Sequence, residues 1–194
     1  MTEKRNTKGF VGLIIAGVLS IIVALGALGF FQFYQTADNL YNKGNIFGEV
    51  PMKDEAVTAV KITGYAENPI ATIDGGTKLY LIEFTKTDND DFGYASLEVK
   101  EGDKLIEKLK STDDLVANPV IVAAKMRKSG ADGAVRNYTS EFKATISENE
   151  NISKLAETEY YVSVYEFDKD RQFAYIVAGI AGIIALVFFY SAFA

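Results

Sequence analysis

Residues 88–93, Asp88-Asn89-Asp90-Asp91-Phe92-Gly93, set oxygen-bearing side chains ahead of a glycine in the sixth place, as a calcium loop begins. The pattern then fails. Phe92 stands at the fifth position and Val99 at the twelfth, where the bidentate carboxylate belongs, so a solvated turn is the better account. Ser140-Glu141-Phe142-Lys143 has the Ser-x-x-Lys spacing by which a lysine activates a serine on a helix. The stretch reads as strand, where i and i+3 face opposite ways, and the two side chains do not meet. Asn137-Tyr138-Thr139 and Asn151-Ile152-Ser153 are glycosylation sequons, meaningful only in a eukaryotic secretory route. Gly75-Gly76 lacks the Lys-Ser/Thr of a phosphate-cradling loop. The chain has no Cys and no His, which excludes disulfides, thiol nucleophiles, imidazole or thiolate metal sites and a His general base. No catalytic residue, metal ligand or cofactor is therefore expected. Among 11 Tyr and 13 Phe, the cluster Tyr160, Tyr161 and Tyr165 is the candidate contact surface.

Whatever these residues do, two oily segments set where they do it. Residues 9–31 and 173–194 are free of charge and long enough for the ~30 Å hydrocarbon core. A buried core helix of that length shows charges along one face, and neither does. Ala24-Leu25-Gly26 and Ala27-Leu28-Gly29 resemble weak signal-cleavage sites, but the apolar stretch outruns a signal core and continues through Phe30, Phe31 and Phe33. An uncleaved span is expected. Lys4, Arg5 and Lys8 in the basic tail, residues 1–8, place the N-terminus in the cytoplasm. The expected topology is a two-pass plasma-membrane protein with both termini cytoplasmic and residues 34–171 outside. Along the helices, Gly12, Ala16, Ser20 and Ala24 recur every fourth residue, as do Ala174, Ala178 and Gly182. Such small-residue ridges let helices approach closely. They are the helix-packing candidates, and pairing with each other is their simplest use.

Between the spans, residues 32–55 read as a helix extension to Gly44 and a Gly/Pro loop, and residues 56–171 as a β-rich domain. Strands are expected over 56–66, 78–87, 92–100, 119–127, 135–146 and 158–167. Asp103 is placed to cap a short helix whose Leu105, Ile106 and Leu109 face inward. The fold class is α+β, a small sheet or barrel inserted between two transmembrane helices. The second span, from residue 172, follows the final strand almost at once. A faint likeness between residues 61–84 and 143–167, each with a Glu-Asn pair and a closing Glu-Phe, raises the question of duplication.

Gly64-Tyr65-Ala66-Glu67 closing one strand and Leu79-Tyr80-Leu81-Ile82 in the next, then an acidic turn and the 103–109 helix, give the domain a recognisable order. With a helix at either end, the layout resembles uncharacterised small membrane proteins of Gram-positive bacteria; the resemblance implies no activity. The chain is acidic, net −6, so nucleic acid is not an expected partner. The leading expectation is a non-enzymatic accessory or scaffolding subunit of a membrane complex. Its partners would be the lipid bilayer and a membrane protein, or further copies of itself. An extracytoplasmic module binding a small ligand or peptide is the alternative, and a carboxylate-based envelope hydrolase comes third.

Overall fold

The computed structural model describes residues 7–73, 76–86, 91–129, 142–147 and 149–193. It divides into two compact units, one of the two terminal helical segments (through Tyr34, and from Lys169) and one from Gln35 to Asp168.

In the first unit, α1 (Thr7–Gly29) ends in a single π-helical turn, Phe30–Tyr34. Its partner is the apolar part of the last helix, which spans Val164–Phe193 and is labelled α5 below. Both are long and apolar enough to cross a membrane. They pack antiparallel: Phe10 meets Phe193 edge-on at 5.7 Å, and Gly17 lies against the Phe189 ring. Ala178, Ala181, Ala185 and Ala192 are buried, a stripe that keeps the three-and-four spacing of a two-helix seam. Leu25, Phe33, Ile183 and Leu186 stay exposed on the outside, as lipid-facing side chains would. Of the seven ridge residues, Ala178 is buried, Ala16, Ser20, Ala24, Ala174 and Gly182 are half-buried, and Gly12 is exposed. Ser20 returns its hydroxyl to the Ala16 carbonyl at 3.0 Å, which satisfies it inside an apolar helix.

A Cβ on Gly17 would stand 2.9 Å from Phe189 Cζ. Gly17→Leu therefore forces the seam apart, at about 1–3 kcal/mol of overpacking. Because the chain has no cysteine, a Phe10→Cys/Phe193→Cys pair reports on this directly. Oxidative cross-linking between them should fall severalfold in the Gly17→Leu background and recover with Phe189→Ala. Unchanged cross-linking would show that Gly17 is not a contact.

The second unit is a β-barrel. A short α2 (Ala37–Asn42) is capped by Thr36, whose hydroxyl accepts from the Asn39 N–H. The strands β1 (Val57–Tyr65), β2 (Ala71–Ile73), β3 (Thr77–Thr85) and β4 (Phe92–Lys100) follow. Then come α3 (Lys104–Ser111), β5 (Val120–Lys128), α4 (Glu150–Leu155), β6 (Tyr160–Ser163) and α5. The sheet order is β1-β5-β6-β4-β3, and β3 pairs back onto β1 to close a five-stranded barrel, with β2 added to β3 alone. Among the described strand pairs only β4–β6 is parallel. The order, with a helix between β4 and β5, is that of an OB-type barrel; many unrelated functions use that shape, so it names no ligand.

Alternation explains the core. Val60 and Ile62 of β1, Tyr80, Ile82 and Phe84 of β3, and Ala95, Leu97 and Val99 of β4 point inward. Leu105, Ile106 and Leu109 of α3 pack onto the same cluster, and Asp103 caps α3 by accepting from the Leu105 N–H at 2.8 Å. β1 carries a bulge between Ile62 and Gly64, which turns its end from β5 toward β3.

Three expectations are corrected here. Residues 142–147 are helical rather than strand, and the remainder of the 135–146 segment lies outside the described residues. The final strand is Tyr160–Ser163 rather than 158–167, and its expected last residues open α5, which starts at Val164. The supposed repeat fails with them: residues 61–84 hold strands, whereas 143–167 hold mostly helix. In each case apolar alternation over a short stretch fitted both periods, and tertiary packing chose.

Candidate functional site

Among the described residues of the barrel unit, a polar cluster lies where β6 becomes α5. Ser163, the last residue of β6, accepts a hydrogen bond from the Glu166 N–H at 2.9 Å, the bond an N-cap makes to the third helical residue. The same hydroxyl donates to the Glu98 carboxylate on β4 at 2.5 Å. Glu166 turns its own carboxylate to the Arg127 guanidinium on β5. Arg127 also reaches Asp54 Oδ1 and Glu55 Oε1, each at 3.2 Å, while Lys125 binds Glu55 Oε2 at 3.0 Å. Glu55 holds a left-handed backbone, φ +67, uncommon for a non-glycine residue, and its N–H donates to the Met126 carbonyl. Two strands and a loop thus grip the first turn of α5.

Ser163, Glu98, Lys125 and Arg127 are all buried. Burial pushes the Glu98 carboxyl up from its ordinary range; the hydrogen bond from Ser163 opposes this, the Glu166 carboxylate adds to it, and Arg127 and Thr77 hold it back. For Arg127, burial works against the charge, but the hydrogen bond and charge of Glu166, with Tyr161 and Glu55, lift its pKa further. The cation persists at every pH the fold survives. Glu98 does not behave so simply. Its folded pKa is raised, so the native state binds the proton more tightly than the unfolded chain does. Its contribution is fully present below the unfolded carboxylate value, about 4.3, and is lost as pH rises through the folded value. Glu98→Gln keeps an acceptor for Ser163 and removes that dependence. The variant should melt several degrees above the parent near pH ~8, and the gap should close below pH ~4, as followed by circular dichroism. A gap that widened on acidification would reverse the assignment.

A second polar feature sits on the outer face of β1, β3 and β4. An open groove of about 270 Å³ is lined by Gly64, Tyr65, Ala66, Leu81, Glu83 and Tyr94. Gly64, Glu83 and Tyr94 lie side by side in the strand register. Glu83 is half-buried; its Oε1 accepts from Thr63 Oγ1 and its Oε2 from Tyr94 OH, both at 3.1 Å. Burial raises the Tyr94 pKa, helped by the hydrogen bond and charge of Glu83; burial also raises that of Tyr65, helped by Glu67 and Tyr80. Both phenols are neutral at physiological pH. Another groove of similar size runs past Met52, Lys86, Phe92, Lys154 and Glu157, and its lysines are engaged, Lys86 with Asp91 and Lys154 with Glu150.

The residues that drew attention in the sequence fall elsewhere. Asp88, Asn89 and Asp90 lie outside the described residues, as do Gly75, Ser140, Glu141 and the sequon at Asn137; Asp91 is bound to Lys86 and Phe92 opens β4. Asn151 lies in the first turn of α4, its N–H donated to the Asn149 side chain. Tyr161 is buried against Leu79, so the three-tyrosine surface does not assemble as a strand face; Tyr160 and Tyr165 are half-buried, and Tyr165 belongs to α5. Glu98, Arg127 and Glu83 were missed. Ser163-Val164-Tyr165-Glu166 carried a usable signal, since Ser-x-x-Glu before an apolar run marks a helix start. No protein-family model matches the chain, and neither a curated protein nor a solved structure matches it.

Proposed function

We propose that this chain is a non-enzymatic accessory or scaffolding subunit of a membrane complex. It holds an extracytoplasmic barrel by two transmembrane helices and binds other proteins. The observation that carries this reading is the junction at Ser163. The last barrel strand becomes the C-terminal helix without a loop, and Glu98 and Arg127 secure the helix's first turn. Glu98 and Arg127, two buried charges that could have served chemistry, are committed to that fastening. The helices keep open faces as well: a Cβ on Gly12, Gly179 or Gly182 would meet nothing within 4 Å, which leaves room for helices of a partner. The basic residues Lys4, Arg5 and Lys8 favour cytoplasmic termini.

Topology is testable with single cysteines. Val116→Cys, at a residue 73% exposed in the barrel unit, should react with a membrane-impermeant maleimide on intact cells. Thr2→Cys should react only after permeabilisation. The opposite pattern overturns the orientation. For the subunit reading, the full chain is cross-linked in cells and isolated in mild detergent. A partner chain or a homo-oligomer at fixed stoichiometry is expected, weakened by Gly12→Leu or Gly182→Leu. A monodisperse monomer without a reproducible partner overturns it.

A further inference from the structure

The groove beside Glu83 has the makings of a cation site of one particular shape. Among the described residues no lysine or arginine pairs with Glu83, whereas Asp54, Glu55, Asp91, Glu101 and Glu166 each face one. An ionised carboxylate accepts about four hydrogen bonds. Here Thr63 and Tyr94 supply one to each oxygen, which leaves acceptor capacity on both oxygens of a residue that lines the groove. That is the pattern a guanidinium fork fills with two parallel N–H donors. Gly64 leaves room beside Glu83, since a Cβ there would stand 3.2 Å from the Glu83 Cβ and 3.9 Å from its Oε1. Tyr65 and Tyr94 line the groove and give it the aromatic surface that a planar cation favours, and Leu81 and Ala66 add apolar surface for an aliphatic stem.

We propose that this groove binds the guanidinium of an arginine side chain presented by a partner polypeptide, with Glu83 as the anion and Tyr65 and Tyr94 as the walls. The proposal rests on the reading of the chain as a binding subunit and names one thing it binds. A lysine ammonium lacks both the fork and the flat face for stacking. An anionic ligand is disfavoured by Glu83 and by the net charge of −6.

The test uses the full chain, ¹⁵N-labelled in non-ionic detergent, titrated with a blocked pentapeptide carrying one central arginine. Saturable shifts are expected at the Gly64, Glu83 and Tyr94 amides. Replacing the arginine by its neutral isostere citrulline should weaken binding about tenfold or more, as should Glu83→Gln. Tyr94→Phe should weaken it severalfold; it keeps the ring and serves as the second variant if Glu83→Gln folds poorly. Equal binding of citrulline, or shifts confined to another face, would sink the proposal. Equal binding of a lysine peptide removes the fork, and equal binding of free agmatine removes the partner polypeptide. Cross-linking in cells separates this idea from the subunit reading. A partner recovered undiminished with Glu83→Gln overturns the groove alone; specific arginine-peptide binding with no partner recovered overturns the subunit alone.

Discussion

Replacing Arg127 by methionine should lower the unfolding temperature of the full chain by about 10 °C. Removing one member of a buried ionic cluster costs about 3–5 kcal/mol, because the opposite charges stay behind without compensation. For a chain of this size each kcal/mol moves the midpoint by roughly 2–4 °C. Glu166, a quarter exposed, and Asp54, about a third exposed, can draw water in, which favours the lower end of the range. The methylene stem survives in methionine, so the effect reports charge and hydrogen bonds rather than volume. Two companions sharpen it. Arg127→Lys keeps the charge and loses the multiple donors that serve Asp54, Glu55 and Glu166 at once, and should fall between. Glu166→Leu added to Arg127→Met should restore part of the loss, since an apolar pair replaces an orphaned carboxylate. A shift under about 2 °C for Arg127→Met would mean that the grip on α5 is not set by this cluster.

The two long apolar helices and much of the barrel were legible because their signals are local. Each terminal run is charge-free and long enough for a single apolar helix, and in β4 Ala95, Leu97 and Val99 alternate with Ser96, Glu98 and Lys100. Asp103 announces α3 from sequence because a cap acts within one turn. The start of α5 was less plain. Tyr161-Val162-Ser163-Val164-Tyr165 alternates as a strand does, and the competing Ser163-to-Glu166 signal needs only one turn to win. Alternation also misplaces Glu98, Lys125 and Arg127. They sit on the outward face, which the pattern assigns to water, yet each is at most 8% exposed. What covers them comes from the 54–55 loop and from α5, far away in the chain. The Glu83 arrangement depends on register in the same way. Thr63 and Tyr94 reach one carboxylate only because β3 lies between β1 and β4 with Gly64, Glu83 and Tyr94 in a row. β2 escaped notice since three residues after a proline carry little pattern; its partner β3 defines it.

Phe84→Ala should destabilise the barrel about as much as Arg127→Met, by roughly 3–5 kcal/mol, the usual cost of emptying a buried phenylalanine site. The ring is 4% exposed and meets Phe47 edge-on at 4.9 Å, which pins the 44–51 loop to the barrel. It is also wedged between two glycines. A Cβ at Gly48 would lie 2.7 Å from Phe84 Cε2, and one at Gly93 would lie 2.8 Å from Cζ. Gly48 adds a second constraint, φ +90, which only glycine adopts freely. Gly48→Ala in the parent should therefore combine backbone strain of about 1–2 kcal/mol with overpacking of about 1–3 kcal/mol. In the Phe84→Ala background the ring is gone and only the strain remains. The two substitutions should then fall short of additivity by the overpacking, about 1–3 kcal/mol, well beyond the ~0.5 kcal/mol expected of independent sites. Additive losses would show that the loop yields before the ring does, and that Gly48 is required for its backbone alone.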